Sequence, residues 1–279
     1  MDHRPAASLD DLVALLRGKR TVALTGAGIS TESGIPDYRG PQGTLRTRQP
    51  MQFREFAGSE EARRRYWARS AVGWARLAAA RPNDGHRAVA AMERAGAVVG
   101  VITQNVDGLH QAAGSRRVLE LHGSLAEVRC MACGRGEARV DFQGRLISAN
   151  PGWRPDNVAA TAPDGDVELA PGIEAAFSVP RCIHCQGVLK PDVVFFGESV
   201  PAVRVQAAWD MAAVADVLLV AGSSLAVFSG FRFVDRAFRE GKPVAIVNQG
   251  ETRGDGLASV RVEGRLGEIL PRLAAALGR

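Results

Sequence analysis

Short unbroken apolar runs alternate along the chain with longer stretches of helical spacing. The runs are Thr21–Thr25, 97–103, 193–196, 214–220 and 243–247. Each is rich in Val, Ile, Leu, Ala or Phe and lacks polar alternation, the pattern of parallel strands buried on both faces. Ser8-Leu-Asp-Asp11 is a capping box before Leu12, Leu15 and Leu16, and Gly18 follows as a stop, which predicts a first helix. Residues 59–80 place Tyr66, Trp67, Val72, Trp74 and Leu77 among charges at helical spacing. Further helices fit 84–95 and 229–240, and Leu266–Leu277 closes the chain. This alternation predicts a Rossmann-like, doubly wound α/β fold with a parallel sheet.

Residues 125–188 break the pattern. They hold all four cysteines, several Gly, Pro, Asp and Asn residues, and no long periodic run. Residues 150–157 and 162–166 read as loops. The expected division is a Rossmann-like nucleotide-binding domain from 1–124 and 189–279, with 35–95 a mostly helical segment and cofactor loop. Residues 125–188 form a smaller zinc-binding module.

The cysteines stand as Cys130-Met-Ala-Cys133 and Cys182-Ile-His-Cys185. Each pair can grip one ion from a tight turn, and four thiolates close a tetrahedral zinc site with no position left for catalysis. The interval between the pairs exceeds that of a zinc ribbon, so structure must fold between them. A redox motif would leave the duplication unexplained, and disulfides are rare inside cells. His184 is expected to be a bystander.

A chain of 279 residues makes one large domain, or one domain plus a module. No apolar run reaches the ~18 residues of a membrane span. The first residues carry Asp2, Asp10 and Asp11 and no signal-type stretch, so the expectation is a cytoplasmic protein with no membrane partner. The net charge of +5 is almost entirely arginine, with Lys19, Lys190 and Lys242 the only lysines. With abundant Ala and Gly, this is the composition of a GC-rich, bacterial genome. Arg63-Arg64-Arg65 is the one tight basic cluster, and Glu60 and Glu61 sit beside it. Without a basic stripe or base-stacking module, no direct nucleic-acid binding is expected.

The chemistry gathers at strand ends. Thr21–Thr25 runs into Gly26-Ala27-Gly28, where the backbone can turn tightly and approach a ligand. A helix starting near Ile29 would aim its N–H groups at an anion such as a pyrophosphate. The third glycine of a G-x-G-x-x-G fingerprint is replaced by Thr31, and Arg46-Thr47-Arg48 stands where an acid would bind a ribose. A purely structural turn therefore stays open. Gly34-Ile-Pro-Asp-Tyr-Arg-Gly40 cannot be helical and presents Asp37, Tyr38 and Arg39 on a loop. The run 97–103 ends in Gln104, Asn105 and Asp107, side chains that also suit a plain turn. In open α/β sheets, ligands lie outside the carboxyl ends of strands. Glu120-Leu-His122-Gly123 follows another short run; a lone histidine is more often structural than catalytic. Gly222, Ser223 and Ser224, then Asn248 and Gln249, end two further strands.

Together these stretches resemble the sirtuins, NAD-dependent protein lysine deacylases. The likeness rests on Gly26-Ala-Gly-Ile-Ser30, residues 34–39, Thr103-Gln-Asn-Val-Asp-Gly-Leu-His110, His122-Gly123, both cysteine pairs, residues 190–198 and Gly222-Ser-Ser224, in order along nearly the whole chain. Arg65-Tyr-Trp-Ala-Arg69, Asn150-Pro-Gly-Trp153 and Ala162-Pro-Asp-Gly-Asp-Val167 are similar to class II, the group of mitochondrial sirtuin 4.

The resemblance implies that Gly26, Ala27, Gly28 and Ser30 cradle the NAD phosphates and that Asp37, Tyr38 and Arg39 belong to a loop over NAD. It implies that Gln104, Asn105 and Asp107 line the nicotinamide and ribose side, while Gly222, Ser223, Ser224 and Asn248 bind the adenosine half. His122 would be the general base, with Asn105 and Asp107 also catalytic. Val194, Phe195, Phe196, Gly197 and Glu198 would hold the substrate peptide as an added strand. The implied reaction moves the acyl group of a modified lysine onto ADP-ribose with loss of nicotinamide, so NAD is consumed, while one structural zinc stays out of the chemistry. The expected partners are acylated lysine side chains, and the expected state is a monomer.

Tyr66 and Arg69 lie three apart on a predicted helix and hence on one face. Sirtuins that remove acidic acyl groups hold the acyl carboxylate with a similar Tyr-x-x-Arg pair, for which a guanidinium fork is suited. A helix that packs one aromatic and exposes one arginine has the same pattern. Class II sequences often carry Cys-Gly-Glu near the adenine; here the run is Leu266-Gly267-Glu268, so a backbone contact survives and a side-chain contact is in doubt. Two other functions fit the residues less well: NAD-dependent protein ADP-ribosyl transfer at the same site, and a non-catalytic zinc module that binds partners.

Overall fold

A computed structural model describes residues 7–40, 50–155 and 162–278. Among them the strands are β1 (Thr21–Thr25), β2 (Val98–Thr103), β3 (Val118–Glu120), β4 (Gly123–Cys130), β5 (Gly136–Ala138), β6 (Leu189–Val193), β7 (Val217–Ala221), β8 (Val244–Asn248) and β9 (Val260–Glu263). The helices are α1 (Leu9–Leu16), α2 (Phe53–Gly58), α3 (Glu60–Ala79), α4 (Asp84–Arg94), α5 (Leu109–Ala112), α6 (Arg139–Ala149), α7 (Ala202–Ala213), α8 (Phe228–Arg239) and α9 (Leu266–Leu277).

Six strands form one parallel sheet in the order β3-β2-β1-β7-β8-β9. The order reverses between β1 and β7, and such a switch point opens a crevice at the strand ends. Side chains alternate between faces along each strand. Ala23, Val101, Leu219 and Val247 pack with Leu12 and Leu16 of α1, Val89 and Met92 of α4, and Leu270 and Leu273 of α9. Val22, Leu24, Val220 and Ile246 pack on the opposite face with Ala208 of α7 and Phe233, Val234 and Ala237 of α8. The capping box at Ser8 and Asp11 forms as the sequence indicates.

A small antiparallel sheet, β5-β4-β6, carries the cysteine region. Its core joins Leu125, Val128 and Leu189 to Phe56 of α2, Tyr66 and Trp67 of α3, and Phe142 and Leu146 of α6. Trp67 Nε1 donates to the Leu189 carbonyl at 3.2 Å, which fixes α3 to this sheet.

The structure corrects three expectations. The run 193–196 is not a strand of the large sheet; Leu189–Val193 pairs antiparallel with β4 instead. Pro191 and the alternating burial of Leu189–Val193 suit a small half-covered sheet better than a central parallel position. No α-helix begins near Ile29. Two 3-10 turns, Ala27–Ile29 and Thr31–Ser33, follow β1, and Gly34 at φ 80° ends them in the left-handed region. Residues 125–188 contain a helix, α6, whose apolar stripe of Phe142 and Leu146 is too sparse to stand out in the sequence. Arg46-Thr47-Arg48 lies outside the described residues, as does the end of the 150–157 loop.

At the switch point the two chain segments nearly touch. Gly28 N–H donates to the Gly222 carbonyl at 2.8 Å. A Cβ on Gly28 would lie 2.8 Å from that oxygen, and one on Gly26 would lie 2.8 Å from the Ser223 Cβ. Gly222 adopts φ 66° and would drive a Cβ into the Ile29 amide. Gly222→Ala is therefore expected to destabilise the fold by at least about 1–3 kcal/mol, the cost of a strained left-handed residue, with urea denaturation as the measurement.

Candidate active site

The strand ends open onto a cavity of about 840 Å³, within the roughly 300–1,000 Å³ common for ligand sites. Every residue expected from the sequence to touch NAD lines it: Gly26, Ala27, Gly28, Ser30, Asp37, Tyr38, Arg39, Gln104, Asn105, Asp107, Gly222, Ser223, Ser224, Asn248 and Leu266. His122, Tyr66 and Val194 to Glu198 line the same space. Arg69 is absent from the lining.

One polar network ties the ends of β1 and β2 together. Asn105 Nδ2 donates to the Gly26 carbonyl at 3.1 Å and to Ser30 Oγ at 3.0 Å. Ser30 Oγ donates to Asp107 Oδ2 at 2.7 Å, and Asp107 Oδ1 accepts from Leu109 N–H at 3.0 Å. Asp107 thus starts a turn with one oxygen and faces the site with the other. Burial pushes its carboxyl upward. Gln104 Nε2 donates to Ser223 Oγ at 2.7 Å, which joins the end of β2 to the end of β7.

His86 and His110 lie beneath this network with ring centroids 5.0 Å apart. His110 Nε2 shares a hydrogen bond with Thr25 Oγ1 at 2.9 Å. Burial pulls His86 down to about 4 and His110 to about 3, because desolvation disfavours the imidazolium. His122 is held by its own pair of contacts: Nδ1 to the Gln104 carbonyl at 2.9 Å and Nε2 to Ser229 Oγ at 2.8 Å. Burial pulls it to about 4, against the Gln104 hydrogen bond and helped by Arg204 and Arg232. The ring is therefore neutral and able to accept a proton across the neutral pH range.

The segment after β6 closes the other side of the cavity. Val194 N–H donates to the His122 carbonyl at 2.8 Å, and Phe53 N–H donates to the Phe196 carbonyl at 2.8 Å. Glu198 Oε2 accepts from Phe195 N–H at 2.8 Å and pairs with Lys190 Nζ at 3.1 Å. Tyr38 meets Phe196 edge-on at 6.0 Å. Tyr66 is buried against Phe56, Trp67 and Phe195. Burial, with Asp164 and Asp166 nearby, holds its phenol protonated well above the ordinary range. Arg69 pairs with Asp166 at 3.3 Å.

The sequence reading missed Pro163, Asp164 and Asp166, which line the cavity. The Pro-Asp-Gly-Asp pattern marked a loop and a likeness to class II, with no site role attached. That loop reaches the cavity because Gly73 of α3 carries no Cβ, which would collide with the Gly165 carbonyl. Ser229 and Arg232 were also missed, since a serine and an arginine on a surface-type helix carry no signal.

The four cysteine sulfurs lie within 4.8 Å of one another. Cys130 and Cys185 are 3.5 Å apart and Cys133 and Cys182 are 3.8 Å apart. A tetrahedral zinc with Zn–S bonds of about 2.3 Å requires sulfurs about 3.8 Å apart, so the set fits zinc and is closed. Gly187 permits the approach: a Cβ there would lie 2.8 Å from the Cys130 sulfur. His184 stands outside the cluster, within 2.9 Å of Arg135 Nη1. The main cavity fits NAD by its bare glycine backbone, its hydroxyl and amide donors, and its apolar wall at Phe195 and Phe196.

The Sir2 family model matches residues 26–229. An NAD-dependent protein deacetylase 1 of Mycobacterium avium is 52% identical over 272 residues, covering 96% of this chain and 95% of that protein. One from Streptomyces coelicolor, of the same name, is 54% identical, covering 94% and 88%. A solved Sir2 with p53 peptide and NAD+ has a TM-score of 0.78 at 32% identity, covering 96% of this chain and 98% of that one.

The buried histidines predict a pH dependence. Their folded-state values lie below the ordinary 6.5, so their contribution to stability is complete above about 6.5. It is lost as pH falls through that value toward the folded-state values of about 4 and 3. Thermal unfolding should show a falling Tm from pH 6.5 to 4.5, and His110→Gln should flatten that slope.

Proposed function

The chain belongs to the Sir2 family, and from that membership we propose that it is an NAD-dependent protein lysine deacylase that transfers the acyl group to ADP-ribose and releases nicotinamide. The observation that carries this reading is that one cavity is lined by the strand-end residues, His122 and the 194–198 segment together. NAD supplies a ribose carbon activated by its nicotinamide leaving group, and it is consumed.

The residues of the chain divide the remaining work. Gly26, Ala27, Gly28 and Ser30 cradle the phosphates; Gly222, Ser223, Ser224, Asn248 and the Leu266 backbone take the adenosine half. Gln104, Asn105 and Asp107 orient the nicotinamide and its ribose, and Asp37, Tyr38 and Arg39 cover them. His122 accepts a ribose hydroxyl proton at Nε2, as a neutral base within hydrogen-bond reach can. Val194 to Glu198 hold the acyl-lysine peptide beside Phe195 and Phe196. Zinc at Cys130, Cys133, Cys182 and Cys185 keeps the small sheet folded.

The finer assignment is to class II, on Arg65-Tyr-Trp-Ala-Arg69 and Ala162-Pro-Asp-Gly-Asp-Val167. The four free thiols, grouped for a metal rather than paired, suit a reducing compartment, and we place the protein in the cytoplasm. Tyr66 lines the acyl end of the cavity, and Arg69 stands behind it, held by the lining residue Asp166. Because Asp166 already pairs with Arg69 at 3.3 Å, an acidic acyl group must displace a carboxylate. Acetyl is accordingly the favoured group.

An acyl-peptide panel with NAD tests this reading. Wild type should turn over acetyl-lysine faster than succinyl- or glutaryl-lysine. His122→Ala should lose about 100-fold or more in kcat, the usual scale for a general base, while NAD binding persists by calorimetry. Retained turnover in His122→Ala would remove the assigned base. Arg69→Ala should change the acetyl-to-succinyl ratio; an unchanged ratio would remove Tyr66 and Arg69 from the acyl site.

A further inference from the structure

The hydrogen bonds around His122 specify more than its position. Nδ1 faces a backbone carbonyl, that of Gln104, at 2.9 Å. A carbonyl can only accept, so Nδ1 must carry the proton. The neutral ring then presents a bare lone pair at Nε2. The group 2.8 Å from that nitrogen is the Ser229 hydroxyl, which must therefore donate to it. The nitrogen assigned to take the substrate proton is occupied by a donor of the chain itself.

The elements around the ring hold that donor in place. Ser229 lies in the first turn of α8, at the end of the crossover that begins at Gly222. Gln104 touches this crossover twice. Its amide donates to Ser223 Oγ near the start, and it lies against Gly230 at the finish, where a Cβ would come within 2.5 Å of Gln104 Oε1. The residue that fixes Nδ1 is thus packed on the residue next to the one that fixes Nε2. Arg232 Nε donates to the Ser229 carbonyl at 3.1 Å and secures the turn from below. Arg232 and Trp209 pack with 5.9 Å between guanidinium and ring.

We propose that Ser229 is a positioning residue for the acyl transfer: its hydroxyl locks His122 in the Nδ1–H form and caps Nε2 until a ribose hydroxyl takes its place. The exchange is one hydrogen bond for another, with no net proton movement. The ribose proton then passes to Nε2 while the Nδ1 proton stays on the ring, still donated to the Gln104 carbonyl. The inference rests on the assignment of His122 as base, but its first consequence belongs to the free protein.

The charged groups facing the ring act in the same direction. Arg204 of α7 and Arg232 of α8 both oppose its protonation. Glu120, on β3 two residues before the ring, interacts with Asp107 and Arg204. Arg204 also pairs with Asp192 of β6 at 3.8 Å. A hydroxyl that donates to Nε2 stabilises the neutral ring and so lowers its pKa. Removing one such hydrogen bond should raise the pKa of His122 by about half to one pH unit.

The test is nitrogen-15 NMR of histidine-labelled full-length protein, with the His122 signals identified by their loss in His122→Ala. The expected result is an Nδ1–H tautomer in wild type. In Ser229→Ala, the His122 titration and the acidic limb of the kcat/KM pH profile should both move upward by that amount, and Ser229→Thr should restore both. An Nε2–H tautomer, or a titration unmoved in Ser229→Ala, would overturn the proposal even if His122 is the base. Full turnover by His122→Ala would instead overturn the base assignment, and the NMR result on the free protein would remain readable.

Discussion

The contact between the first turn after β1 and the turn after β7 is the constraint on which the site depends. Gly28 reaches the Gly222 carbonyl at 2.8 Å, and Gly26 lies against Ser223. Side chains at these glycines would push the two strand ends apart. With them close, Asn105 can bond the Gly26 carbonyl and Ser30 together, and Gln104 can reach Ser223. Three strand ends become one polar surface with little freedom to adjust. A preorganised surface of this kind binds a ligand without the cost of ordering it on arrival.

The small lobe contributes by confinement. Trp67 fixes α3 to β6, and Gly73 lets the 162–167 loop lie directly on α3. Asp164, Asp166 and Tyr66 thereby come to line the cavity that Phe195 and Phe196 close. The cysteine cluster that fits zinc lies outside the lining of that cavity. Its four sulfurs are grouped to tie two distant chain segments together, a role metals take in small domains.

Much of this was legible in the sequence. The runs at 21–25 and 97–103, the helices at 59–80, 84–95 and 266–277, and the paired cysteines depend on local patterns, and the structure carries them. The small sheet was less legible because β6 pairs with β4 from across the whole cysteine module, Arg129 opposite Lys190, and β5 is only Gly136–Ala138. Val193–Phe196 looked like a central strand since its apolar residues serve a wall of the cavity rather than a sheet core. The expected helix after Gly28 gave way to 3-10 turns, because Gly34 and Pro36 leave it no room. Ser229 could not be found from its neighbours in sequence. Its partner, His122, is 107 positions away.

The central claim is that one cavity holds NAD and an acyl-lysine so that the acyl group ends on ADP-ribose. Quantitative mass spectrometry of a single reaction with acetyl-peptide and NAD addresses it most directly. The account predicts nicotinamide, acetyl-ADP-ribose and free lysine peptide in equal amounts. Nicotinamide release with ADP-ribose attached to protein, and the acetyl group still on its lysine, would contradict it.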